Sequence, residues 1–158
     1  MKKVLVVLFI TIFLTGCGKG IGGRVSEEFI TKMIDYSTYN TQEKNEENLP
    51  IVLEQYFSPE GYKIFVDKQM GFIYPALFSI SEVKLTEEIK ISQVNKIKAA
   101  DGTQLKYEIQ YILVCKSGKI KMKDEIAIKI DKKNKITEVI ILNTSDVIHK
   151  LFFDRRIL

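Results

Sequence analysis

Two hydrophobic periodicities divide the chain. From Ser26 to about Met70 apolar residues recur every three or four positions, and from Ile89 onward they recur at every second one. In the first region Phe29, Ile30, Met33, Ile34 and Tyr36 share one face, Ser26 can cap, and Glu27 and Glu28 suit the positive end of a helix. A helix is therefore predicted from Ser26 to about Tyr39. Polar, acidic Thr41 to Asn48 predicts a loop. Asn48 with Pro50 in the first turn starts a second short helix through Leu53, Tyr56 and Phe57. Ser58 as cap and Pro59 as first helical residue start a third, through Tyr62, Phe65 and Val66, that ends near Met70-Gly71.

After Pro75 the period becomes two. Ile89 and Ile91 alternate with Lys90 and Ser92, Asp101-Gly102 marks a hairpin turn, and Leu105, Tyr107, Ile109, Tyr111, Leu113 and Cys115 share one phase. Ser117-Gly118 turns the chain into Ile120, Met122, Ile126, Ile128 and Ile130. Lys132 to Lys135 loops into a last strand from Ile136 to Asn143. A shorter strand is expected around Leu77 to Leu85, and Val147 to Phe153 fits either a short helix or a strand extension. The prediction is an α+β domain over residues 26–158, with short N-terminal helices packed on a curved antiparallel sheet of four to five strands.

Composition agrees with one folded unit: 158 residues, 46% hydrophobic and 28% charged, fit a single domain with its own core. The residues before that domain read differently. Met1-Lys2-Lys3 is a short cationic start, and in the run Val4 to Leu14 only Thr11 is not apolar. A spanning helix needs about 20 apolar residues, whereas a core of this length behind a basic start is that of a secretion signal.

The core runs into Leu14-Thr15-Gly16-Cys17, which resembles the bacterial lipobox in residues 1–16 and Cys17. The resemblance implies a diacylglyceryl thioether on Cys17, cleavage before it, and further acylation, palmitate included, on the new N-terminus. Two or three chains, at about 0.8 kcal/mol per buried methylene, anchor stably where one is marginal. The implied address is the outer face of the cytoplasmic membrane, or an outer membrane in a host that has one. An ordinary signal peptide with a chance cysteine is the alternative. If Cys17 is acylated, Cys115 has no partner and no intramolecular disulfide is expected.

Gly18-Lys19-Gly20-Ile21-Gly22-Gly23 matches the dinucleotide-binding spacing G-x-G-x-x-G, but no retained strand precedes it to aim the turn at a pyrophosphate. Residues 17–25 are read instead as the lipidated cysteine and a flexible glycine-rich tether. Helices followed by a curled antiparallel sheet, over roughly residues 26–144, resemble the nuclear-transport-factor-like fold and the related cystatin-like lipoproteins. That resemblance implies a cone-shaped domain and no particular activity, because such folds host enzymes, binding modules and assembly subunits alike.

Asp124 is the most interesting polar residue, since it lies in phase with Met122, Ile126, Ile128 and Ile130. Pointed into the core, its carboxyl would have a raised pKa and could act as a general base, with Tyr107 and Tyr111 of the neighbouring strand lining a pocket. A bulge at Lys123 to Glu125 would instead reset the register and place Asp124 in water, and that is the expected outcome. His149 is the only histidine, so neither a histidine-rich metal site nor a paired proton shuttle is expected, and no cofactor is expected either. Cys115 amid Ile109, Tyr111 and Leu113 reads as an inert core thiol rather than the nucleophile of a Cys115-His149 pair. No G-x-S-x-G, H-E-x-x-H, P-loop or C-x-x-C pattern occurs.

Charge adds one asymmetry. Arg24 to Met70 holds five basic and nine acidic residues, whereas Lys116 to Lys135 holds eight basic and three acidic. A basic contact face is expected from Lys119, Lys121, Lys123, Lys132, Lys133 and Lys135, able to meet anionic headgroups, wall polymer or an acidic partner; a solvated strand face is the plainer reading. Nucleic acid is a poor partner for an exported protein. The expected role is a non-catalytic, membrane-anchored module that contacts an envelope protein, of the kind found in conjugative secretion assemblies. The alternative is a cone that binds a small molecule or transfers a proton with Asp124, Tyr107 and Tyr111.

Overall fold

The computed structural model describes residues 20–144, where the two periodicities become two layers, with helices packed on one face of a four-stranded antiparallel sheet. Helix α1 (Ile21–Ile34) turns Phe29, Ile30, Met33 and Ile34 into the core. It starts five residues before the predicted N-terminus, which corrects the tether reading for the described part of residues 17–25. Gly22 and Gly23 are buried in its opening turn. A β-carbon at Gly22 would overlap Ile130 Cδ1, so this glycine permits close approach of helix and sheet rather than flexibility. Ser26 is not a cap: it is buried one turn in, and its Oγ donates to the Gly22 carbonyl at 2.9 Å.

The helix predicted to continue to Tyr39 breaks at Asp35, whose φ of −84° and ψ of 115° leave the helical region. Asp35 then caps α2 (Tyr36–Thr41) by accepting the Ser37 N–H at 3.0 Å. The break is stabilised from the sheet. Thr86 Oγ1 accepts the Tyr36 N–H and donates to the Ile34 carbonyl, both at 3.1 Å, satisfying groups that the helix ends would otherwise orphan.

Helix α3 (Ile51–Glu54) follows Pro50, and α4 (Pro59–Asp67) begins as predicted, with Ser58 Oγ accepting the Gly61 N–H at 3.1 Å. A left-handed Gln69 and a 3-10 turn (Met70–Phe72) lead into α5 (Ile73–Ile80). This helix lies where a period-two pattern and a short strand around Leu77 to Leu85 were expected, and it is the main correction to the predicted elements. Pro75 is its third residue. A first-turn N–H has no intrahelical partner to lose, so proline opens this helix instead of ending one.

The strands β1 (Val83–Ala99), β2 (Gly102–Cys115), β3 (Gly118–Ile130) and β4 (Ile136–Asn143) lie in sequence order, each antiparallel to the next. The six in-phase residues of β2, Leu105 to Cys115, all face the helices and are buried. The β2–β3 ladder runs without a register shift from Cys115↔Gly118 to Thr103↔Ile130, and the irregularities fall in the β1–β2 and β3–β4 ladders. Phe29, Phe57 and Phe65 cluster within the helical layer, with ring centroids 5.1 Å apart for Phe29–Phe57 and 4.8 Å for Phe57–Phe65, and the backbone of Phe57 bridges to Ile136 at the start of β4.

The start of β4 is covered: Ile136 N–H donates to the Tyr56 carbonyl at 2.9 Å and Ser58 N–H to the Ile136 carbonyl at 3.0 Å. The far half of β1 is bare, since every residue from Ser92 to Ala99 is exposed, including Val94 and Ile97. Among the described residues no helix is long and apolar enough to cross a membrane. Cys17, His149 and residues 146–153 lie outside the described residues.

Gly61 tests the α4–β4 contact, because a β-carbon there would meet the Ile136 carbonyl oxygen and lie 2.8 Å from Thr137 Cα, both backbone atoms. Gly61→Ala is expected to cost about 1–3 kcal/mol of overpacking in urea unfolding. Gly20→Ala, with nothing within 4 Å, should stay within about 0.5 kcal/mol of wild type.

Candidate functional site

Asp124 stands on the inner face of β3, opposite Ile109 of β2, and is 0% exposed. The bulge expected at Lys123 to Glu125 is absent, because the β2–β3 ladder passes through these residues in unbroken register. The strict alternation of β3 thus extends through its polar member. What makes the burial tolerable is a pair of phenolic donors: Tyr111 Oη donates to Asp124 Oδ2 at 2.7 Å, and Tyr74 Oη donates to the same oxygen at 3.0 Å. Hydrogen bonds to a carboxyl oxygen offset the desolvation that would otherwise expel it from the core.

Tyr74 belongs to α5, and the sequence reading missed it. The available signal was the spacing of Tyr74, Leu77 and Phe78, a helical stripe hidden by treating Pro75 as a boundary. Burial above all, with Asp124 adding to it, pushes the Tyr74 hydroxyl well above the ordinary phenolic range. Burial likewise raises Tyr111, with Tyr74 and Asp124 adding to the effect. Both therefore remain protonated donors at any physiological pH.

Tyr107 does not join this cluster. It shares a face with Tyr111, but its hydroxyl lies 3.4 Å from the Gly23 carbonyl of α1, to which it donates, and burial with the nearby Glu27 pushes it up to about 12. Of the three residues expected to line a pocket, the structure brings Tyr111 and Asp124 together and puts Tyr74 where Tyr107 was expected. The cluster is sealed: Tyr74 is 0% exposed and Tyr111 2%. A general base needs its proton donor within hydrogen-bond reach, and here the reach is filled by two core tyrosines. Cys115 is also buried; its Sγ sits 4.0 Å from the Leu113 carbonyl, and burial pushes the thiol up, away from the reactive thiolate. Among the described residues no group of three or more His, Cys, Asp or Glu side chains is placed to hold a metal ion.

The outer face of the sheet carries the lysines. A shallow groove of about 450 Å³ runs over β1, β2 and β3 between Lys90, Gln110, Ile112, Lys121 and Lys123. Part of the positive charge is laced to other strands: Lys119 pairs with Glu87 at 2.7 Å, Lys123 with Glu108 at 3.1 Å, and Lys106 with Glu125 at 2.7 Å. Each exposed pair contributes little to stability, but together they cancel much of the field expected of a basic face. Lys135 Nζ donates to the Gln55 carbonyl at 2.6 Å. Lys121, Lys132 and Lys133 form no ion pair with the described residues, and the last two project from the β3–β4 turn.

No protein-family model, curated protein or solved structure matches the chain.

Removing either donor leaves a buried carboxyl oxygen short of a partner. Tyr111→Phe and Tyr74→Phe are each expected to destabilise by about 1–3 kcal/mol in urea unfolding, with a double variant less costly than their sum because both act on one atom. Alkali should expose the same network. Above the ordinary phenolic value near 10 the unfolded chain releases protons that the folded chain keeps, so stability is complete below that pH and falls as pH rises. A thermal midpoint that is flat to about pH 9 and drops above about pH 10, with tyrosinate absorbance rising in step with unfolding, is expected. Full ionisation of all seven tyrosines with the fold intact would contradict it.

Proposed function

We propose that this chain is the precursor of a bacterial lipoprotein, cut before Cys17 and held by acyl chains on that residue at the outer face of a membrane. There its domain works by protein contact and not by catalysis. The observation that carries the reading is Leu14-Thr15-Gly16-Cys17 behind a basic start and an eleven-residue, nearly all-apolar core. The thiol at that position is the chemical group the anchor requires, and two or three acyl chains supply the hydrophobic burial that a lone chain lacks.

Two structural features support a contact role. The in-core carboxyl, Asp124, is enclosed by Tyr74 and Tyr111 rather than presented to a ligand. The exposed half of β1 offers an edge with apolar Val94 and Ile97, 54% and 53% exposed, on which an extended partner segment can add a strand. A lipid-held domain with an open sheet edge suits an assembly module of the cell envelope, including the conjugative secretion machinery in which domains of the resembled fold occur.

Metabolic labelling with palmitate tests the anchor: wild type should label and fractionate with membranes, and Cys17→Ala should do neither. A Cys17→Ala protein that still takes up palmitate removes the reading. The contact role is tested by a photocrosslinking residue at Val94 or Ile97 in intact cells, where a discrete heavier adduct is expected. If these positions give no adduct while crosslinkers elsewhere on the domain do, the edge is not the contact.

A further inference from the structure

We infer that the end of the domain formed by the start of α1 and the β3–β4 turn lies against an anionic phospholipid surface, with Ile21 entering the headgroup layer and Lys132 and Lys133 meeting lipid phosphates. The inference rests on the lipidation of Cys17 proposed above and adds to it an orientation and a headgroup chemistry.

Chain length sets the first constraint. Ile21, the first residue of α1, is four residues from Cys17, and four residues span at most about 14 Å even when fully extended. An acyl chain on Cys17 therefore brings this end of the domain within a headgroup layer's thickness of the bilayer. The surface so presented has the matching character. Ile21 is 60% exposed, an apolar side chain at the point nearest the anchor. With Val25 and Tyr56 it borders a depression of about 290 Å³ whose other wall is Lys133, Asn134 and Lys135. Helix start and turn are thus one continuous surface, fixed by the close packing of Gly22 on Ile130.

Its charge differs from that of the opposite end. There Lys116 pairs with Glu82 at 2.8 Å and Lys119 with Glu87 at 2.7 Å, and Lys84 is left without an ion pair to a described residue, whereas at the tip both Lys132 and Lys133 are exposed and paired with no described residue. Two carboxylates are near. Asp131 turns its Oδ1 inward to accept the N–H groups of Lys133 and Lys135 at 2.8 and 2.9 Å, which shapes the turn, and Glu28 borders the depression. The tip itself is cationic. Lysines beside an anionic leaflet strengthen attachment by about fivefold each, a zwitterionic leaflet gives no such gain, and an apolar wedge between them adds burial.

The test uses the full acylated chain reconstituted in vesicles of phosphatidylcholine alone or with a third phosphatidylglycerol, and reads the acetylation rate of individual lysines by mass spectrometry. The expected result is slowing of Lys132 and Lys133 by about fivefold or more on the anionic vesicles only. Lys116, at the far end of β2 and roughly 40 Å away along the strand, should be unchanged. Lys135 of the same turn should also react more slowly on the anionic than on the zwitterionic vesicles, and in a chain with Lys132→Glu and Lys133→Glu, both exposed positions, that difference should disappear. Equal rates on the two vesicle types, in protein that floats with both, overturn the orientation while leaving the anchor intact. Protection in intact cells but not on vesicles overturns it too, assigning the turn to wall polymer or to a protein. A chain that floats with neither vesicle lacks the anchor, and both readings fall together.

Discussion

Asp124 presents a carboxyl group to a face otherwise made of Met122, Ile126, Ile128 and Ile130, and such a group persists in a core only where donors meet it. One donor, Tyr111, comes from the adjoining strand; the other, Tyr74, comes from α5 on the opposite layer. The polar interaction therefore specifies which helix covers the middle of the sheet and at what rotation, something apolar contact alone leaves looser. Phe78 packs one turn further along α5, edge-on to Tyr36 and Tyr39 with centroids 5.6 and 5.5 Å apart, so the placement of α5 propagates to α2. Thr86 closes the circuit by binding both backbone groups at the α1–α2 break.

The two faces of the sheet solve different problems. The inner face is continuous and apolar apart from the buried polar groups just described, and the outer face is a mesh of lysine–glutamate pairs across strands. Such pairs add little stability individually, but they reduce a charge asymmetry that is prominent in the linear sequence. Lysines without such a partner among the described residues remain on β1 and at Lys121 as well as at the tip of the β3–β4 turn, where Lys132 and Lys133 stand next to the helix start nearest Cys17. Of the two sheet edges, β4 begins under the Tyr56–Ser58 segment and β1 runs out bare, which is why the proposed contact is placed on β1.

Much of the fold was legible in the sequence, because the signals that encode it are local. The phase of Leu105 to Cys115, the turns at Asp101-Gly102 and Ser117-Gly118, and the Ser58-Pro59 start of α4 are each readable within a few residues. The failures were places where a local signal had two meanings. Glycines at 22 and 23 mean flexibility or close packing, and only Ile130, more than a hundred residues away, decides for packing at Gly22. Pro75 ends a helix or opens one, and Ser26 caps a helix or hydrogen-bonds within it.

The candidate site was legible by half. Alternation placed Asp124 and Tyr111 on one face, since a strand's side chains must alternate whatever surrounds them. Whether the carboxyl stayed there depended on a donor from a segment fifty residues earlier. The sequence by itself thus determined the α+β order and the phase of β2 and β3, which follow from short-range periodicity or spacing. Only the tertiary structure decided that Tyr74 rather than Tyr107 meets Asp124, that Lys106, Lys119, Lys123 and Lys129 pair with glutamates of other strands, and that Lys133 and Lys135 of the β3–β4 turn lie beside Ile21. Those outcomes depend on which distant groups come within a few ångströms, and no local pattern carries that information.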